Sequence, residues 1–507
     1  MRIRSRTKRL PDISRKLAIP EEQGNAKISD RLEDNEAALR ELFDRCADFY
    51  IHPVYFQQSE PGLVAYMQGL VDTQSLDFDL LEPLLEQIRQ PDGASPVIKA
   101  IHNASFSVVH TKTITELSEA VRDITSGSIV LMMQSSNKAL AIKLQNKNLN
   151  RAVEEPVTEA VIRGPHSGFI ENLNVNIALL RVRLKTPRLK VETFILGDVS
   201  HTVVAVAYME GIAPNELIEE VKRRLTQIKI DVIFESGHIE EIISDVRYTP
   251  FPLMQMSERP DTVAALIYEG KAAIIVDGTP MVNIVPATFW QGFQIVEDYY
   301  NKFMFATAFR WLRFLFALLT LLMPSLYVAI TTFHQEMIPT ALSLSIAAAR
   351  AAAPFPTMLE TLMMEIIFEA LREAGIRLPT PIGPTVSIVG ALVIGQAAVQ
   401  AGIISAPIVI VVALTGISSF LIPKVNMNLA LRLLRFPVVI MAGLFGLFGI
   451  GAALLALLIH LVTLRSFGVP YLTPIAPFQA SGLWDVLVRA PWWILRKRPH
   501  QTGGDSG

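Results

Sequence analysis

The sequence predicts a two-lobed cytosolic α/β N-terminal domain followed by an α-helical polytopic membrane domain, and three observations carry that prediction. Charge is divided unevenly: residues 1–310 hold 34 Lys/Arg and 41 Asp/Glu, whereas residues 311–507 hold 12 and 7. Up to about residue 300, helical and extended patterns alternate, which suits α/β layers better than a bundle. Beyond it come apolar runs too long and too free of charge for an ordinary soluble core.

The chain opens with seven basic residues in its first sixteen positions and no apolar run behind them, so no secretory signal is expected. Residues 1–29 read as a basic disordered tail, with contact to anionic lipid headgroups as the alternative. Lobe 1 is placed at 30–150. Its first helix, DRLEDNEAALRELFDRC (30–46), puts Leu32, Leu39, Leu42 and Phe43 on one stripe. DFYIHPVYF (48–56), SFSVVH (105–110), SIVLMM (128–133) and ALAIKL (139–144) have strand composition, and TELSEAVRDI (115–124) reads as a crossover helix.

A polar linker at 146–156 leads to lobe 2 at 157–300, which repeats the same grammar. Ser167 is the expected cap of a helix to about Leu184, with Ile170, Leu173, Ile177, Leu180 and Leu184 on its buried face. Strands are expected at 188–196, 202–209, 272–278 and 281–285, a helix after Pro214, and a hairpin turn at Asp277-Gly278. The turn Arg163, Gly164, Pro165 precedes that first helix. It is either a packing turn, with Arg163 ion-paired, or an anion cradle at a helix N-terminus.

No phosphate loop, dinucleotide fingerprint, zinc-protease motif or nucleophile elbow occurs in these residues. The single cysteine, Cys46, excludes an internal disulfide and any multi-cysteine metal site. No enzyme activity, cofactor or metal is therefore expected. A net charge of −2 also excludes a nucleic-acid binder driven by bulk charge.

The membrane domain is placed at 311–466 with four to six crossings, and a C-terminal tail at 467–507. Residues 314–335 are one uncharged span, 378–423 hold two with a break near 401–407, and 436–464 hold a further one rich in glycine. Residues 337–377 are unusual, being too apolar for a loop yet carrying Glu360, Glu365 and Glu369, then Arg372, Glu373 and Arg377. Pro354 and Pro356 should break a continuous helix there. One reading is a helix on the membrane surface with Glu369 paired to Arg372. The other is a channel-lining or re-entrant segment in which the three glutamates form a candidate ion pathway. Arg310 and Arg313, then Lys424, Arg432 and Arg435, then Arg489, Arg496, Lys497 and Arg498 all favour the cytosol. If 337–377 crosses, the 424–435 loop is cytosolic and the last apolar block must contain an extra return; if it does not, the tail is cytosolic and that loop is outside. An even number of crossings, with both ends in the cytosol, is expected.

The run TTFHQEMIPTALSLSIAAARAAAPFPTMLETLMMEIIFEALREAGIRLPTPIGPTVSIVGALVIGQAAVQAGIISAP (331–407) closely resembles the A subunits of bacterial spore germinant receptors, the GerA family. TEAVIRGPHSGFIENLNVNIALLRVRL (158–184), PFPLMQMSERPD (250–261), AAIIVDGTP (272–280) and HLVTLRSFGVPYLTPIAP (460–477) extend the resemblance to roughly residues 30–480. His166-Ser167 departs from the basic and acidic residues expected there. The resemblance implies a subunit of a receptor in the inner membrane of a dormant spore, acting with an integral-membrane B subunit and a lipoprotein C subunit. It further implies nutrient-triggered release of cations and dipicolinate, and a homo-oligomer forming a gated ion pathway. On residues alone, a secondary transporter or a membrane-anchored enzyme acting by itself remain the alternatives, although no internal repeat and no catalytic constellation are visible.

Overall fold

The computed structural model describes residues 27–56, 60–72, 111–144, 146, 156, 158–377, 393–491 and 493. The expected strand at 105–110, most of the basic tail and most of the 146–156 linker lie outside the described residues.

Lobe 1 is built from α1 (Leu32–Leu42), β1 (Phe49–Phe56), β2 (Glu60–Met67), β3 (Thr111–Ile114), α2 (Leu117–Thr125), β4 (Ser128–Met133) and β5 (Ala139–Lys143). Its sheet has the order β1-β2-β4-β5-β3, with every neighbouring pair antiparallel. Because β3 and β4 both run antiparallel to β5, they are parallel to each other with β5 between them. Helix α2 is thus a genuine crossover, as its pattern predicts. Leu117, Ala120, Val121 and Ile124 of α2 are buried against the sheet, with Leu39 and Phe43 from α1's end of the lobe.

Lobe 2 repeats the plan with α3 (Leu173–Arg183), β6 (Leu189–Leu196), β7 (Thr202–Met209), α4 (Asn215–Thr226), α5 (Ser236–Ile243), β8 (Gln255–Ser257), α6 (Pro260–Tyr268), β9 (Ala272–Val276) and β10 (Val282–Val285). Its order, β6-β7-β9-β10-β8, is that of lobe 1 position for position. The lobes are therefore a structural duplication, with a shared strand order that the common grammar of the two halves does not specify. Here α3 and α6 cover one face of the sheet, and α4 and α5 the other. Burial on both faces explains why β9 reads AAIIV without a polar residue.

The first helix of lobe 2 differs from expectation. It starts at Leu173, not near Ser167, and its cap is Asn172, whose side chain accepts from the Val175 amide at 3.1 Å. Asn and Ser cap equally well, so the pattern alone does not choose; Ser167 instead hydrogen-bonds Arg183 at 2.5 Å. Helix α3 also joins the lobes. Ala178 enters the lobe 1 core, while Arg181 makes two hydrogen bonds, 2.7 and 2.8 Å long, to buried Asp48 at the start of β1.

The helical domain contains α7 (Phe303–Phe333), α8 (Thr340–Arg350), α9 (Thr357–Arg377), α10 (Ala406–Phe420) and α11 (Val425–Thr463), with residues 393–400 also helical. Among the described residues, α7 and α11 are the helices long and apolar enough to cross a membrane. As predicted from Pro354 and Pro356, the chain is not helical between α8 and α9. Residues 465–470 form a small two-stranded ladder, and α12 (Ala480–Val486) follows.

Helix α11 corrects the reading of 436–464 as one span. A straight helix of 39 residues would be about 58 Å long. Instead both ends meet lobe 2: Lys424 pairs with Glu159, and His460 lies 3.0 Å from the Thr249 hydroxyl. The reversal is at Gly446, whose φ of 60° and ψ of −141° interrupt the helix beside Phe333 and His334 at the end of α7. A Cβ there would lie 2.9 Å from the His334 ring, and this backbone region is almost confined to glycine. Gly446→Ala should therefore cost on the order of 1–3 kcal/mol, seen as a lower melting temperature of the detergent-solubilised chain. An unchanged melt would mean that the arms do not turn here.

Candidate functional site

The three glutamates singled out in the sequence lie on α9, and the structure gives them two different environments. At four residues apart, Glu365 and Glu369 share one helix face; at three apart, Arg432 and Arg435 share a face of the first arm of α11. The two faces meet. The Arg435 guanidinium is 2.6 Å from Glu365 Oε2 and donates to Glu369 Oε1 at 2.9 Å. Arg432 donates its Nε–H to the same oxygen at 3.0 Å and pairs with Glu369 Oε2. Glu365 and Arg435 are each only 1% exposed, so each charge is tolerable because the other is present.

Arg372 does not pair with Glu369, contrary to the surface-helix reading. It donates to Ser419 Oγ at 2.5 Å and lies over the rings of Phe420 and Phe368, from the end of α10 and from α9 itself. A helix lying on a surface with its charges in water is incompatible with this burial. The basic residues of α11 were legible only as topology signals. Their spacing of three puts both on one face of the helix, but nothing in the sequence says which helix that face meets.

Glu360 is different. It is fully buried, it makes no ion pair among the described residues, and its Oε2 accepts from the Ser405 amide at 3.0 Å. Ser405 precedes the first residue of α10, so this carboxylate caps that helix and faces the positive end of its dipole. Its other oxygen, Oε1, has no hydrogen-bond partner among the described residues, nor has the buried Ser405 hydroxyl.

These contacts order the helices. Helix α7 leaves lobe 2 and ends beside Gly446. Helix α9 begins at that far end, where Met358 lies against Gly443, and returns to Arg432 near the head. Helix α10 also runs from the far end, at Glu360, to Lys424 beside Glu159. Between α9 and α10, residues 378–392 lie outside the described residues.

A second buried network, invisible in the sequence, fastens the C-terminal segment to the start of α7. Asp298 receives both guanidinium ends of Arg313, at 2.5 and 2.9 Å, and also Arg310 at 3.2 Å. Tyr299 donates its hydroxyl to Asp485 at 2.7 Å, Arg489 donates to the Tyr299 carbonyl at 3.2 Å, and Trp311 donates to the Leu487 carbonyl at 2.6 Å. Residues 480–491 are thus docked to the same end of the helices as lobe 2, not a free tail.

The Arg163, Gly164, Pro165 turn is not at a helix N-terminus, since α3 starts at Leu173. Gly164, at φ 139°, is pressed against the Tyr300 ring, and the Pro165 carbonyl accepts from Arg259 at 2.7 Å. The geometric argument for an anion cradle therefore fails, and Arg163 itself is exposed. Among the described residues, no group of three or more His, Cys, Asp or Glu is arranged to hold a metal ion.

Comparison with known proteins places these features in one family. The family model described as Bacillus/Clostridium GerA spore germination protein matches residues 37–501. Relatives include the uncharacterized membrane protein YfkQ of Bacillus subtilis, 44% identical over 96% of this chain and 94% of that protein. Spore germination protein KA of the same organism is 42% identical over 94% of this chain and 88% of its own length. Spore germination protein GerLA of Bacillus cereus is 38% identical over 92% and 90%. The crystal structure of the N-terminal domain of the A subunit of the Bacillus megaterium spore germinant receptor GerK3 aligns with 52% of this chain and 98% of that one, at 28% identity and a TM-score of 0.42. With the family model running through both lobes and the whole helical domain, the chain belongs to the GerA family of spore germination proteins.

Proposed function

We propose that this chain is the non-catalytic A-type membrane subunit of a nutrient receptor that starts spore germination. In this reading it acts with an integral-membrane B subunit and a lipoprotein C subunit, and several copies assemble around a gated cation path. The observation that carries the reading is the end-to-end family match to proteins named for spore germination. Spores lacking this chain should lose the response to the nutrient while still germinating by routes that bypass receptors. Normal nutrient germination in spores retaining this chain but neither partner would defeat the reading.

The helix directions support an even number of crossings in the spore's inner membrane, with both lobes and residues 480–491 on the cytosolic side, because α7 leaves from lobe 2 and α11 ends beside it. A cysteine at position 336, exposed at the far end, should react with an impermeant external reagent. Cysteines at 122 and 487, both exposed positions, should not.

For the cation path, Glu365 and Glu369 are locked by Arg432 and Arg435, so this arrangement is a closed state in our reading. Opening requires α9 to slide on α11 and free the carboxylates to attract cations. Gln at 360, 365 and 369, with Arg432→Gln and Arg435→Met added so that no guanidinium is left buried without its partner, should slow nutrient-triggered cation release in spores that retain the chain. An unchanged rate would remove the glutamates from the pathway.

A further inference from the structure

Lobe 2 and the start of α11 line a partly open cavity of about 150 Å³ that has no part in the cluster described above. Three separate pieces wall it: the edge strand β8, the connector at 287–292 leading to α7, and residues 423–427 entering α11. Methionines 254, 256, 281 and 427 supply much of the lining, and flexible thioethers adapt to varied apolar shapes. Two polar atoms on its walls are unsatisfied. Among the described residues, Gln255 Oε1 is buried without a hydrogen-bond partner, and so is the hydroxyl of Tyr471, which is itself 1% exposed.

A space of about 150 Å³ with apolar walls takes a molecule the size of benzene. The charges on the lining, Glu159 and Lys424, neutralise each other as an ion pair, so the cavity offers no excess charge to a ligand. What it offers is an acceptor that lacks a donor, at a cost until one arrives. We propose that this cavity binds a small neutral molecule of aromatic-ring size bearing one hydroxyl, which donates to Gln255 Oε1. Bound there, the molecule touches lobe 2, the α7 connector and α11 at once, and so stiffens the junction between head and helices. This inference does not depend on the germination reading.

The test uses the full-length chain in detergent micelles, with 4-fluorophenol as probe and fluorobenzene as the comparator lacking a donor, followed by fluorine NMR. Saturable line broadening by 4-fluorophenol beyond that in empty micelles is expected, with fluorobenzene weaker by about 5-fold, the worth of one hydrogen bond. Gln255→Leu should bring 4-fluorophenol down to the level of fluorobenzene. Met281→Phe, which fills the space from a half-exposed position, should abolish both signals. Melting curves of the unliganded variants identify any that fail to fold, and Gln255→Leu decides if Met281→Phe is one. No saturable signal from the unaltered chain, or equal binding of the two probes by it, overturns the proposal; so does a folded Gln255→Leu variant that keeps its preference.

Discussion

Replacing Arg435 with methionine should destabilise the helical domain by about 3–5 kcal/mol, the cost of leaving a buried carboxylate without its partner. Glu369 would keep Arg432, but Glu365, 1% exposed, has Arg435 as its ion-pair partner among the described residues. The expected result is a sharply lower melting temperature in detergent and little chain in the membrane fraction. Adding Glu365→Gln to Arg435→Met removes the stranded charge and should restore more than half of the loss. A double variant no more stable than Arg435→Met alone would mean that the pair does not hold α9 to α11. The same cycle separates architecture from function: a rescued chain that inserts normally but releases cations at an altered rate would tie the cluster to gating.

A loss of similar size, about 3–5 kcal/mol, is expected from Arg181→Met in the N-terminal module. Asp48 is 5% exposed, and both of its oxygens are occupied by Arg181. Stranding it should loosen lobe 1 from lobe 2, because the same helix that carries Arg181 also inserts Ala178 into the lobe 1 core. Limited proteolysis of the full chain should then cut between the lobes at protease levels that leave the unaltered chain intact. Combining Arg181→Met with Asp48→Asn should recover much of the resistance. If the single variant resists protease as well as the unaltered chain, the lobes are held by backbone contacts such as the Ala47 amide to the Val191 carbonyl, 2.8 Å, and not by this pair.

The three candidate glutamates show how far a sequence can lead toward a site. Their presence in an apolar segment marks them as interior or costly, and that follows from solvation alone. Their partners do not follow, because Arg432 and Arg435 lie more than sixty positions away on a helix whose register against α9 is set by packing. The segment itself therefore suggested an internal pair between Glu369 and Arg372, where the structure sends Arg372 to Ser419. Glu360 is the more instructive case. Nothing in its neighbourhood in the chain says that it caps α10, since Ser405 meets it only once the helices are assembled.

What the sequence determined by itself is what depends on local patterning. Strands β4, β5, β6, β7, β9 and β10, the crossover helix α2, the Asp277-Gly278 turn and the break at Pro354 and Pro356 all follow from periodicity, propensity and turn chemistry within a few residues. The charge divide between head and helices is equally a property of the chain alone. Only the tertiary structure decided that both sheets are antiparallel with one shared strand order, since the partner of a strand is not written in the strand. It likewise decided that the 39-residue helix α11 folds back at Gly446. One glycine among several in an apolar run looks like a packing residue; it becomes a reversal only when both ends of the helix are held by the same lobe.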